Sequence, residues 1–155
     1  LAAYATILTK LEPLLQTDNV RLLDNSAGCV SRMIMKHPDR VPLDDVLPVV
    51  VGLLPLKEDY EENVAVWGMI VQLCKFDSIS THRVPTDKMS DQESNPAIRD
   101  QTEEIIAALA QVLSPPTEQL LDETREKLVE LVKYLHKHQP GLISGNGVLM
   151  HVVQG

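Results

Sequence analysis

"LDNSAGCVSRMIMKHPDRVPLDDVLPVVVGLLPLKEDYEENVAVWG", residues 23–68, states one pattern twice. Asp24-Asn25 opens an apolar helical run, Pro38 follows it, and a second acidic group from Asp59 to Glu62 opens another run. Leu23, Ala27, Val30 and Ile34 share one stripe, and Tyr60, Val64, Trp67, Ile70, Val71 and Cys74 share the other. Spacings of three and four mark helices with one buried face. A long helix that recurs with the same acidic opening implies a repeated unit whose apolar faces need neighbours.

The same period extends outward into six helical segments. They are expected at about Ala3–Leu15, Val20–Lys36, Leu43–Leu54, Asp59–Lys75, Ala97–Leu113 and Glu118–His138, joined in pairs as three hairpins. Asp18-Asn19, Lys57-Glu58-Asp59 and Pro115-Pro116-Thr117 place a side-chain acceptor or a proline where each second helix begins and its first N–H groups need partners. Pro38 and Pro140 forbid continuation of the second and sixth helices, and Pro13 and Pro48 are expected to kink the first and third. Leu11-Glu12-Pro13-Leu14-Leu15 is echoed by Val46-Leu47-Pro48-Val49-Val50, and Leu22-Leu23-Asp24 by Leu120-Leu121-Asp122. Helix pairs of roughly 35–45 residues with proline in the first helix are the mark of HEAT or armadillo stacking. The fold expected is therefore all-α, a right-handed superhelical solenoid of antiparallel helix pairs, with a closed six-helix bundle as the other arrangement. Its parts are a repeat at 1–38, a repeat at 42–76, a polar mobile loop at 77–95, a last repeat at 96–140 and a tail at 141–155. Because Leu1 already lies in a periodic apolar run, the chain reads as a piece of a longer array.

Composition fits packed helices and restricts partners. Hydrophobic residues are 44% of the 155, but aromatics only 3%, so the core must be Leu, Val, Ile, Ala and Met. A formal net charge of −8 disfavours nucleic acid and anionic membranes and favours a basic partner. No run reaches the ~20 apolar residues that span a bilayer. Cys29 and Cys74 have no CxxC or histidine cluster around them and are expected as buried free thiols.

Chemistry is missing where an enzyme would need it. There is no GxSxG, no phosphate-binding glycine loop and no HExxH. His136 and His138 sit two apart on a helix and point away from each other, so they do not form a metal pair; they complement the helix C-terminus instead. Gly145-Asn146-Gly147 is a turn in the tail. Catalysis, a cofactor and a metal site are not expected.

The stretch "LLDNSAGCVSRMIMKHPDRVPLDDVLPVVVGLLPLKEDYEENVAVWG" resembles the C-terminal HEAT repeats of the importin-β (karyopherin-β) family, in the importin-4 and importin-5 branch. The "DN" opening, the "HP" stop, "LDDVLP" and above all "LPLKEDYEE" carry that likeness over residues 20–75, and "SPPTEQLLDETREKLVELVKYLHKHQPGL" resembles the last repeat. The resemblance implies a nuclear transport receptor that shuttles between cytoplasm and nucleus. It would carry basic cargo such as histone tails and ribosomal proteins, meet nucleoporins and be unloaded by Ran-GTP, whose contacts lie mainly in an N-terminal half not found here. A HEAT scaffold that holds partners without transport is the other class, and a concave face of mixed charge would favour it.

In such a solenoid the second helix of each pair lines the concave face, with neighbours about one helix diameter, ~10 Å, apart. The resemblance then places Asn25, Glu61 and Glu62 around a cargo lysine, whose three ammonium donors they would satisfy, with Asp24 and Asp59 adding to the negative field. Acids near a helix start also gain from the helix dipole alone, which is sufficient for Asp59 and for Asp44-Asp45. Arg21 and Arg32 oppose the field if they point into the same groove. Trp67 shares a stripe with Val64, Ile70 and Val71 and is expected between helices rather than at a ligand.

Overall fold

A computed structural model describes residues 2–75, 96–114 and 119–155. Within them the chain is helical, with no strand among the described residues. The helices are α1 (Ala2–Leu11), α2 (Val20–Lys36), α3 (Leu43–Gly52), α4 (Asn63–Lys75), α5 (Pro96–Arg99), α6 (Thr102–Val112), α7 (Asp122–His138), α8 (Pro140–Ser144) and α9 (Gly147–Gln154). The expected loop 77–95 and the Pro115-Pro116-Thr117 turn lie outside the described residues.

The architecture is an all-α HEAT-repeat solenoid. Its second helices, α2, α4 and α7, stand side by side, with α4 in the middle packed against both neighbours. α3, α5 and α6 cover the other side, and one continuous apolar core runs through the layers. Ile34, Leu47, Val66, Trp67, Ile70, Leu109, Leu128 and Leu131 are all fully buried in it. The central place of α4 explains its sequence: apolar residues occupy nearly its whole circumference, because three sides meet other helices.

Local chemistry sets the helix ends. Asn19 caps α2, its side chain accepting from the Leu22 N–H at 3.0 Å. α2 ends at Lys36, with Pro38 just beyond. Pro13 does more than bend the first helix. The α-helix stops at Leu11 and a 3-10 turn, Glu12–Gln16, takes over, as expected where proline removes an amide donor. Pro48 lies inside α3, which runs through it to Gly52. The single fifth helix expected at 97–113 is broken into α5 and α6. At the break the Thr102 hydroxyl donates to the Arg99 carbonyl at 2.7 Å, a side-chain-to-backbone bond that competes with the helical ladder.

The stretch expected as a tail, 141–155, is folded. α8 and α9 pack on α7, and Ile143 and Leu149 are completely buried. Asn146, in the Gly-Asn-Gly turn, caps α9 by accepting from the Leu149 N–H at 3.2 Å. Helices of five and eight residues are too short to display a clear period in sequence. Trp67 lies wholly inside. Both cysteines are free thiols, but half-buried rather than buried.

Candidate functional site

The two acidic openings meet because α2 and α4 run parallel in a fixed register. Asn25 faces Asp59, Gly28 faces Glu62, and Gln72 donates to the Met35 carbonyl at 3.2 Å, so positions rise together along both helices. Hydrogen bonding then divides the five expected residues into distinct roles.

Asp24 turns inward. It is 2% exposed, and its Oδ2 accepts three backbone N–H groups, from Lys57 at 3.1 Å, Glu58 at 2.8 Å and Asp59 at 2.9 Å. A helix start carries unpaired amides, and here the carboxylate that satisfies the turn before α4 comes from the neighbouring helix. The Asp24 contact also fixes where Asp59 begins. Asn25 continues the link, donating from Nδ2 to Asp59 Oδ2 at 2.9 Å and to the Arg21 carbonyl at 2.8 Å. Both partners are acceptors, so only the NH₂ group can face them, and Oδ1 is left as the outward acceptor. Arg21 Nε stands 3.7 Å from the same Asp59 oxygen.

Glu62 lies lower in the seam. Its carboxylate rests directly on Gly28, where a Cβ would overlap it, and its side chain is 14% exposed. Arg32 Nη2 approaches Glu62 Oε2 to 2.7 Å, yet no aligned hydrogen bond reaches that oxygen. The pair is an ionic contact at short range rather than a directed fork. Glu61 is exposed on the outer side of the same turn, and no hydrogen bond or ion pair joins it to Asn25 or Glu62 among the described residues.

The structure thus brings Asn25 to Asp59 and sets Glu62 between Gly28 and Arg32, with Glu61 exposed to solvent. Two carboxylates, Asp59 and Glu62, face the guanidiniums of Arg21 and Arg32, while Asp24 is buried and Glu61 exposed. The parts not anticipated from sequence are the capping role of Asp24 and the seat provided by Gly28. A small residue one turn after Asn25 on the same helix is the only trace that the seat leaves in sequence.

Other concavities lack this concentration of charge. A groove of about 420 Å³ lies between α1 with its following turn and α3, lined by Leu8, Leu11, Leu15, Val30, Val46 and Val49 among others. A cavity of about 60 Å³ lies beside Cys74, Tyr134 and His138, and the Tyr134 and His138 rings lie 4.4 Å apart at a tilt of 42°. No cluster of three metal-ligating side chains occurs among the described residues.

No protein-family model matches the chain. Over 152 residues, 97% of its length, the chain is 34% identical to "Probable importin subunit beta-4" of Schizosaccharomyces pombe. Over 74 residues, 47% of its length, it is 39% identical to Importin-4 of Homo sapiens. The chain belongs to the importin-β family, in the importin-4 branch. It spans 13% of the length of the fission-yeast importin and 6% of the human one. The polar seam between α2 and α4 is thus a feature of an importin HEAT array.

Proposed function

We propose that this importin segment is a cargo-holding part of a nuclear import receptor, binding a lysine of a basic protein where α2 and α4 begin. Histone tails and ribosomal proteins are cargo of the right charge. The observation that carries the proposal is the seam itself. Asp24 fixes the turn 57–59, Asn25 is held with an acceptor free, and Glu61 is exposed in the turn that leads into α4. An ammonium there meets Asn25 Oδ1 and the Glu61 and Glu62 carboxylates, with Asp59 as the flanking negative charge. Nucleoporins and Ran-GTP act through the longer receptor, which shuttles between cytoplasm and nucleus. The segment's part in that cycle is binding, without catalysis and without a cofactor.

A second function competes on a specific observation. Arg21 and Arg32 pair with Asp59 and Glu62, so the face carries mixed charge, which suits a protein scaffold without transport. Titration calorimetry with a short lysine-bearing histone-tail peptide separates the two. Glu61→Lys should weaken binding at least tenfold, as each well-formed charge-assisted hydrogen bond is worth about 1.5–3 kcal/mol. Rising salt should weaken it further. Unchanged binding by Glu61→Lys, with helix content intact, would favour the scaffold.

A further inference from the structure

The seam already contains a cation. Glu62 is the most enclosed carboxylate on the exposed side of the junction, at 14%, and the nitrogen next to it belongs to Arg32, whose own side chain is 55% exposed. Gly28 makes this possible, because the carboxylate occupies the space where any other residue would carry Cβ. The ion pair is short but unaligned. It lacks the paired, planar geometry that makes an arginine–carboxylate fork hard to break. The carboxylate is enclosed while the guanidinium reaches solvent, so the pair is half-buried.

We propose that Arg32 is a specificity-determining residue, a resident cation that occupies Glu62 and must be displaced or pushed aside by the ammonium of a cargo lysine. This rests on the lysine-binding role proposed above for the same face. A lone lysine meets two opposing effects: attraction to Glu61, Asp59 and Glu62, and repulsion from a guanidinium roughly one side-chain diameter away. Cargo with several cationic groups compensates better, since further charges find the rest of the acidic chain. The face therefore discriminates by number of cations rather than by the presence of one. Arg21 is the weaker counterpart at Asp59, at 3.7 Å and with a side chain 73% exposed.

Removing the charge at position 32 should then strengthen binding. Like charges ~6 Å apart at a protein surface repel enough for an increase of about three- to tenfold at low salt. The test is calorimetry of the full chain with a short single-lysine peptide, comparing the wild type with Arg32→Gln, Glu62→Gln and the double variant. Arg32→Gln should raise affinity, and the gain should vanish when Glu62 is already glutamine. Arg32→Lys, which keeps the charge, should show no gain, and it also reports on folding if glutamine proves disruptive. A gain that persists with Glu62→Gln would overturn the proposal by making Arg32 a general repulsive charge. Unchanged or weaker binding by Arg32→Gln would overturn it too, the latter by making Arg32 a support for Glu62. Glu61→Lys is run alongside: if it binds as the wild type does, the lysine face itself is wrong. If only the Arg32 variants fail to respond, that face stands and the displacement does not.

Discussion

The junctions that α4 makes with α2 and with α7 differ in their polar chemistry. Toward α2 the contact is polar: Asp24 to three amides, Asn25 to Asp59, Arg32 to Glu62 and Gln72 to the Met35 carbonyl. Toward α7 a polar link runs from Asn63 Nδ2 to the Gln119 carbonyl at 2.9 Å. Trp67 and Ile70 follow Asn63 on that face of α4 at helical spacing, and Leu128 and Leu131 are fully buried on α7. The junction with α2 leaves charge at its mouth, and the candidate site is distinguished by what that junction leaves exposed.

That contrast can be broken most forcefully from the apolar side. Trp67→Ala should cost about 3–5 kcal/mol, since a fully buried tryptophan leaves a cavity that surrounding helices fill only partly. Urea unfolding measures it, and a loss under 1 kcal/mol would mean that the α4–α7 contact is not a packed core. The polar junction should respond next. Asp24→Ala should cost about 3 kcal/mol, because three amides lose a charged acceptor, whereas Asp24→Asn keeps one carbonyl acceptor and should lose less. Hydrogen exchange at residues 57–59 should rise in Asp24→Ala while exchange around Trp67 changes little. Equal acceleration at both places would erase the distinction between the junctions.

Gly28→Ala sharpens the comparison because its effects should separate. Alanine gains up to about 1 kcal/mol of helix propensity, and the movable end of Glu62 yields to the new methyl group at the expense of its half-buried contact with Arg32. Unfolding stability should stay within about 1 kcal/mol of wild type while lysine-peptide affinity changes. A stability loss above 3 kcal/mol would show that Glu62 cannot move.

The smallest effect lies on α7, outside both junctions. Lys127 donates to Glu123 Oε1 at 2.7 Å, and that hydrogen bond, followed by the attraction of its charge, holds the Glu123 carboxyl below the ordinary carboxylate range. A lowered folded-state value gives stabilisation that is present above the unfolded glutamate pKa of about 4.3 and lost as pH falls through the folded value. In Lys127→Ala, side-chain NMR titration should find Glu123 titrating higher, near ordinary glutamate. High salt should produce much of the same change in the wild type, because the pair is fully exposed.

How much of this could be read in sequence follows from which signals are local. Helix period and proline positions place α2 at the residues expected, Val20–Lys36, and identify three long second helices. The interruption at Asp100-Gln101 escapes notice because it depends on one threonine choosing a backbone carbonyl, and α8 and α9 because they are too short for periodicity. At the site, sequence brings Asn25 and the 59–62 group together through the parallel register of successive second helices. It cannot assign direction. Asp24 and Asn25 are adjacent in the chain, yet one points into the junction and the other across its mouth, a difference set by helix rotation that no spacing records. Gly28 gives still less warning, since its role consists of an absent atom.

The central claim is that a lysine is held at the mouth of the polar junction and not along the acidic surface at large. A double-mutant cycle tests it, pairing Glu61→Gln on the protein with acetylation of the single lysine on the peptide, each affinity measured by calorimetry. Glu126→Gln, an exposed acid on α7, serves as the parallel reference. The account predicts a coupling of about 1 kcal/mol or more at Glu61, the scale of a charge-assisted hydrogen bond, and none at Glu126. Zero coupling at Glu61, or equal coupling at both acids, would contradict it.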